Sequence, residues 1–170
     1  GRIDVEKLLG KKVTVATDNG RIQLNEIAAT TLTAETDNGR ITLEKIQAEN
    51  IKTETDNGRI EMEHVESDTI FAKSDNGRIV LEDVNGSITG KTDNGRITLE
   101  TTSLDRNIDF QTDNGSILVQ TKNEPTNVSI HAKTGNGKID VFGERNSRTV
   151  IGAGEYTIRL KSDNGRITVK

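Results

Sequence analysis

The hexapeptide TDNGRI at residues 55–60 is one of eight closely related copies in the chain. The copies begin at Thr17, Thr36, Thr55, Ser74, Thr92, Thr112, Thr134 and Ser162. Their glycines follow one another at steps of 19, 19, 19, 18, 20, 22 and 28 residues. A period near twenty residues is typical of a solenoid or another repeat array, in which each unit packs on its neighbours.

The residues between two copies have the pattern of short β-strands. Apolar residues alternate with polar ones, but the alternation shifts by one residue after Leu24, after Ala29 and after Asn38. Each shift reverses the face on which the apolar side chains lie, and therefore indicates a corner. The inward set of this copy is then Ile22, Leu24, Ile27, Ala29, Leu32, Ala34, Thr36 and Asn38. Three corners per repeat predict an all-β fold, a three-sided parallel β-solenoid with about 19 residues per coil.

A string of β-hairpins is the alternative, because Asn-Gly is the strongest sequence signal for a two-residue hairpin turn. The far side of each repeat, for example residues 44–48 (EKIQA), has no comparable tight turn. A meander also gives no reason for the additional shifts, so the sequence favours the solenoid.

In a solenoid the repeated residues form ladders, since equivalent positions stack about 4.8 Å apart. We expect an inward asparagine ladder of Asn19, Asn38, Asn57, Asn76, Asn94, Asn114, Asn136 and Asn164. The adjoining glycines are expected to supply the positive φ of a sharp corner. Outside the corner we expect ion pairs between two rows. The aspartate row is Asp18, Asp37, Asp56, Asp75, Asp93, Asp113 and Asp163, and the arginine row is Arg2, Arg21, Arg40, Arg59, Arg78, Arg96 and Arg166.

Composition limits the classes of function. The net charge of −4 argues against a general nucleic-acid binder. No apolar run is long enough for a transmembrane segment, and no cysteine is present for disulfides or thiolate metal sites. His64 and His131 lack metal-type spacing, so the sequence predicts neither a metal site nor a cofactor.

The repeats and the closing segment GAGEYTIRLKSDNGRITV (residues 152–169) together resemble a family of bacterial adhesin-like β-solenoids. The resemblance covers essentially the whole chain and rests on the T-x-N-G-x-I unit. It implies a right-handed solenoid at or near the bacterial cell envelope, and some relatives are linked to envelope-stress responses. It brings no catalytic residues. The uniform arginine after each glycine departs from the variety that relatives show there.

The organisation predicted is a single domain over residues 1–170, with regular coils in 1–99 and irregular coils with longer loops in 100–170. Residues 100–107, 120–127 and 142–155 all leave the coil after its first strand, so they are expected to stack on one side. We call these three segments the loop face. Loops on a rigid scaffold often bind partners, so Phe142, Glu144, Arg145 and Arg148 are the candidate contact residues. The competing interpretation is that these segments are tolerated insertions and a C-terminal cap.

Several functions are compatible with such a fold. The sequence favours a non-enzymatic scaffold that binds a protein or glycan of the cell envelope, with its solenoid ends open to self-association. A polysaccharide lyase or hydrolase is the first alternative, but it needs a localised cluster of acids, and here the acids are spread in rows. A regulatory or scaffolding domain in an envelope-stress response is the second alternative. Because the sequence starts inside a repeat, we also expect it to belong to a longer protein.

Overall fold

The computed structural model describes residues 1–170, all of them in strands, turns and connecting segments. The strands are β1 (Arg2–Leu9), β2 (Lys12–Thr17), β3 (Arg21–Thr36), β4 (Ile41–Thr55), β5 (Ile60–Ser74), β6 (Ile79–Thr92), β7 (Ile97–Thr101), β8 (Ile108–Thr112), β9 (Ile117–Thr121), β10 (Val128–Thr134), β11 (Ile139–Val141), β12 (Arg148–Ile151), β13 (Tyr156–Ser162) and β14 (Ile167–Val169). None of these elements is a helix that could cross a membrane.

The strands of successive repeats pair in parallel and in register. Ile22 lies beside Ile41, Ile41 beside Ile60, and Ile60 beside Ile79, so equivalent residues of each copy stack directly. Only β10 and β12 pair as antiparallel strands. The parallel β-solenoid predicted from the repeat is therefore confirmed, and the hairpin array is wrong. The chain is a β-solenoid repeat scaffold.

The core is the inside of this stack. In the copy that β3 forms, Ile22, Leu24, Leu32 and Ala34 are completely buried. The buried positions of β3 fall in three runs, and the alternation of burial shifts between them, as the sequence pattern predicts. Burial of each such aliphatic side chain contributes about 1.5–3 kcal/mol to the free energy of unfolding. The stacked aliphatic residues therefore hold the rungs together.

A left-handed residue forms the first corner of each regular coil. Lys7, Glu26, Lys45, His64 and Asp83 occupy equivalent positions and have φ values from 51° to 57°. Left-handed backbone costs a non-glycine residue about 1–2 kcal/mol. The same conformation recurs in five successive rungs with four different residue types, so the stack and not the residue type imposes it.

The repeated glycines serve a different purpose from the one predicted. None of the eight glycines of the hexapeptide copies has a positive φ. Instead, a Cβ atom on Gly58 would lie 1.6 Å from the carbonyl oxygen of Gly39, and the other Asn-Gly glycines of the interior rungs make the same approach. The expectation of a positive φ at these glycines is therefore wrong. Glycine is required there because neighbouring backbones approach too closely for any side chain.

The asparagine ladder exists, but it lies on the surface. Each ladder amide Nδ2 donates to the Oδ1 of the preceding rung, at 2.7 to 2.9 Å. Asn38 and its equivalents are exposed, so the inward placement predicted for them is wrong. The side chain that points inward is that of the threonine or serine two residues before each ladder asparagine. Thr55 Oγ1, for example, donates to the carbonyl of Gly39 at 3.1 Å and satisfies this buried corner group.

The C-terminal end of the stack does not follow the order of the chain. β13 lies between β8 and β10, and β14 lies between β9 and β11. The last strands of the sequence are thus inserted between two earlier rungs. The asparagine ladder runs in the same order, because Asn164 bonds to Asn114 and Asn136 bonds to Asn164. The outermost coil is formed by β10 and β11, and β12 covers the outer edge of β10.

Candidate functional site

The loop face begins after Thr101, where β7 ends and the chain no longer continues as a strand on the second of the three sides, as β3 to β6 do. Leu104, which belongs to the first loop, is completely buried. Next to it, the Arg106 guanidinium donates from Nη1 to the Val84 carbonyl and from Nη2 to Thr101 Oγ1. Desolvation lowers the pKa of Arg106 to about 10, against a smaller opposing effect of Asp83. On this second side, Arg106 therefore takes the place of a further strand, because it donates to the Val84 carbonyl of β6.

Asp105 fixes the first loop to the second. Its Oδ1 accepts hydrogen bonds from the backbone N–H groups of Thr126 and Asn127, both at 2.9 Å. Its Oδ2 accepts from the Thr126 hydroxyl at 2.8 Å. These bonds favour the charged carboxylate, led by the one from the Asn127 backbone, and they lower the pKa of Asp105.

Asn127 continues this network to the third segment. Its Oδ1 accepts from the Glu155 N–H at 2.9 Å, and its Nδ2 donates to Glu155 Oε2 at 2.8 Å. The structure therefore brings the first two loops and the end of the third segment together on one side. They form a rigid surface, since each is hydrogen-bonded to the next.

The four candidate contact residues lie beyond this network, at the end of the solenoid. Phe142 follows β11 with φ 51°, and its N–H donates to the Val169 carbonyl at 2.8 Å. Glu144 exchanges backbone hydrogen bonds with Val141. Arg145 is exposed in the segment that crosses to β12, and Arg148 lies beside His131 in the β10–β12 pair. The segment thus provides both an edge-covering strand and an exposed charged surface.

The two charged rows beside the asparagine ladder do not pair with each other. No arginine of the arginine row lies within 4 Å of a carboxylate of the aspartate row. Arg59 contacts Glu61 at 2.8 Å instead, and Asp75 contacts Lys73 at 3.5 Å. The prediction of ion pairs between the rows is therefore wrong. Asn57 and its equivalents stand between the rows, and the charged side chains turn to either side.

The two histidines lie on the surface in different surroundings. His64 occupies one of the left-handed corners, and its Nδ1 lies 2.7 Å from the Asp83 carboxylate of the next rung. This contact raises the pKa of His64. His131 lies on β10, with Nε2 at 3.1 Å from Ser129 Oγ.

Replacement of Asp105 tests the network of the loop face. We expect Asp105→Asn to lower the free energy of unfolding by about 1 kcal/mol at neutral pH, because an amide cannot accept all three bonds. Since the folded pKa of Asp105 is lowered, its contribution is complete above the unfolded value near 3.8 and is lost as the pH falls through the folded value. The difference between the urea melts of the parent and Asp105→Asn should therefore stay constant from neutral pH down to about pH 4, and it should shrink only as the pH falls below 3.8. Asp109→Asn, at an exposed position of β8, is the control. A stability difference between Asp105→Asn and the parent that is independent of pH would contradict this assignment.

Sequence reasoning did not find Asp105, Arg106 or Asn127. Each lies in irregular sequence, and the partners that join them to other rungs (Val84, Thr126 and Glu155) are 21 to 28 residues away, so neither periodicity nor local spacing connects them. The one available signal was the similar position of the first two loops within consecutive repeats. That signal predicts stacked loops, but it does not say which side chains join them.

The family model described as Toastrack DUF4097 matches residues 3–170. No curated protein and no solved structure matches the chain.

Proposed function

This chain belongs to the Toastrack DUF4097 family, and from that premise we propose that it is a non-enzymatic, adhesin-like binding scaffold of the bacterial cell envelope. The regular rungs from β1 to β6 act as a rigid rod, and the loop face makes the contact. The partner is a protein or a glycan of the envelope.

The hydrogen-bonded loop network is the observation that carries this proposal. Asp105 and Asn127 fix three separate segments of irregular sequence to one another. Binding to loops that are already ordered loses little conformational entropy, so a modest contact area can give a specific complex. A repeated surface cannot distinguish one position from the next, whereas the loop face occurs once on the molecule.

The end of the loop face supplies suitable chemistry. Phe142 is 36% exposed and presents an aromatic ring beside a charged segment. Arg145 and Arg148 are exposed there as well. Guanidinium groups bind carboxylates and phosphates, and aromatic rings contact the apolar faces of sugars or side chains. We therefore assign the contact with an anionic envelope component to Phe142, Arg145 and Arg148, with Glu144 beside them.

Binding to isolated bacterial envelopes tests the proposal. The purified chain should sediment with envelope fragments, and the double variant Arg145→Gln, Arg148→Gln should bind at least about tenfold more weakly, since each lost charge-assisted bond contributes about 1.5–3 kcal/mol. The variant Lys11→Gln, Lys12→Gln removes the same charge from the opposite end and should bind like the parent. Equal binding by all three proteins would overturn the assignment to the loop face.

The non-enzymatic part of the proposal has its own test. Incubation of the chain with purified envelope polysaccharides should release no new reducing ends and no unsaturated sugar products. Release of either product by the parent chain would overturn this part and favour the lyase or hydrolase alternative.

A further inference from the structure

A polar groove runs along the solenoid between the asparagine ladder and the arginine row. It has a volume of about 490 Å³ and no hydrophobic residue in its lining. Asn76, Asn94, Asn114 and Asn164 form one wall, the adjoining glycines form the floor, and Arg78, Arg96 and Ser116 form the other wall. The groove lies along the C-terminal half of the stack, on a different side from the loop network.

Cationic side chains continue along the second wall. The backbone hydrogen bonds place Arg78, Arg96, Ser116, Arg166 and Lys138 in successive rungs. At about 4.8 Å per rung, this column extends roughly 19 Å. Four of its five residues carry a positive charge, and the remaining one, Ser116, accepts a hydrogen bond from Arg96 Nε at 3.0 Å.

The charges of this column are not neutralised within the protein. Arg2, Arg40 and Arg59 in the N-terminal half contact Asp4 or Glu61 at 2.8 to 3.9 Å. Arg78, Arg96, Arg166 and Lys138 have no carboxylate within 4 Å. Val80, Thr98 and Thr168 stand where Asp4 and Glu61 follow Arg2 and Arg59. Arg21, which is followed by Gln23 at this position, is also without a carboxylate within 4 Å. After Lys138 the position holds Asp140, whose Oδ1 accepts from the Gly143 N–H.

None of the neighbouring aspartates lines the groove. Asp75 and Asp163 contact Lys73 and Lys161, which belong to the strands that precede the corner, at 3.5 and 3.7 Å. The ladder asparagines themselves keep hydrogen-bonding capacity. Each ladder bond uses one amide hydrogen and one oxygen lone pair, so a second hydrogen and a second lone pair remain available on each carboxamide.

We propose that this groove binds an extended acidic polysaccharide. A surface that repeats at every rung suits a ligand that also repeats, and the arginines can bind the carboxylates of successive sugars while the asparagines bind their hydroxyl groups. Nucleic acid fits less well, since single strands are bound through aromatic stacking and no aromatic residue lines the groove. This site is separate from the loop face and does not depend on it.

Polarisation measurements with a fluorescent polygalacturonate oligosaccharide test the proposal on the full chain. The parent should bind this probe, and Arg96→Gln, Arg166→Gln should reduce the affinity by about tenfold or more. The variant Arg2→Gln, Arg59→Gln removes the same charge from two arginines that are paired within the protein and should stay within about twofold. Higher salt should weaken parental binding, because exposed charges are screened. Matching thermal melts of all three proteins establish that the fold is intact.

Three results would overturn the proposal. The two double variants could lose affinity equally, which would show a general charge effect. The parent could bind a neutral dextran oligosaccharide as tightly as polygalacturonate. An oligothymidylate of the same charge could bind more tightly than polygalacturonate, which would assign the groove to nucleic acid. The variant Arg145→Gln, Arg148→Gln should bind polygalacturonate like the parent, so a failure here is distinguishable from a failure of the loop-face proposal.

Discussion

A chain that ends at Glu155 is expected to lose amide protection throughout residues 128–151, although it still contains all of them. The missing β13 and β14 lie between that coil and the rest of the stack. Without them, β10 keeps only its antiparallel partner β12, and β11 has no strand to pair with. The buried contacts of Ile158, Leu160, Ile167 and Val169 also disappear. Each buried side chain contributes about 1.5–3 kcal/mol, so hydrogen exchange in residues 128–151 should accelerate by about two orders of magnitude or more.

The matched control removes residues 1–17 from the other end. There β1 and β2 pair only with β3, in the order of the chain. This deletion should expose the edge of β3 and leave the protection of β4 to β6 nearly unchanged. If residues 128–141 stay protected in the chain that ends at Glu155, the rungs stack in sequence order and the insertion of the last strands is wrong.

Gly58→Ala is expected to lower the free energy of unfolding by about 3 kcal/mol or more, the upper part of the range for overpacking. The new methyl group would lie 1.6 Å from the Gly39 carbonyl oxygen and 2.7 Å from Thr55 Oγ1. The oxygen belongs to backbone whose position is set by the ladder hydrogen bonds, so it cannot move without separating two rungs. Urea and thermal melts of the purified variant measure the effect.

Two substitutions provide the comparison for Gly58→Ala. Gly10→Ala should change stability by less than about 0.5 kcal/mol, because its nearest heavy atom is Val13 Cγ2 at 3.5 Å. Asn57→Ala should cost about 1 kcal/mol, since it breaks exposed amide bonds to Asn38 and Asn76. An Asn57→Ala effect larger than that of Gly58→Ala would show that the side-chain ladder, and not the close backbone approach, stabilises this corner.

The sequence predicts the solenoid well because the apolar residues of each repeat alternate along the strands in the same way as the buried positions do. Ile22, Leu24 and Leu32 are buried where the pattern places them. It fails at the corner for two physical reasons. Asn-Gly is compatible both with a left-handed turn and with tight stacking, and only the distance between rungs distinguishes them. An asparagine at a regular position also gives no sign of whether its amide faces the core or solvent.

The order of the last rungs was also not predicted, yet the sequence carries a sign of it. The copy SDNGRI at residues 162–167 is almost intact, whereas TGNGKI at residues 134–139 has lost the aspartate and the arginine. In the structure the intact copy has a rung on each side, and the degraded copy lies at the end with one neighbouring rung. A position with two neighbours restricts its residues more strongly. Chain order alone would place the copy at residues 162–167 at the end of the stack and the copy at residues 134–139 inside it.

The common register of β3 to β6 has a consequence for how such a protein can change its length. Each of these coils contacts only the coil before and the coil after it, and the two contacts are nearly identical. Duplication of a 19-residue unit inside this region would create no new type of interface. It would displace the loop face from the N-terminal end by about 4.8 Å per added unit. A gene that gains or loses such units could therefore adjust the reach of the protein in small, equal steps while leaving its contact surface unaltered.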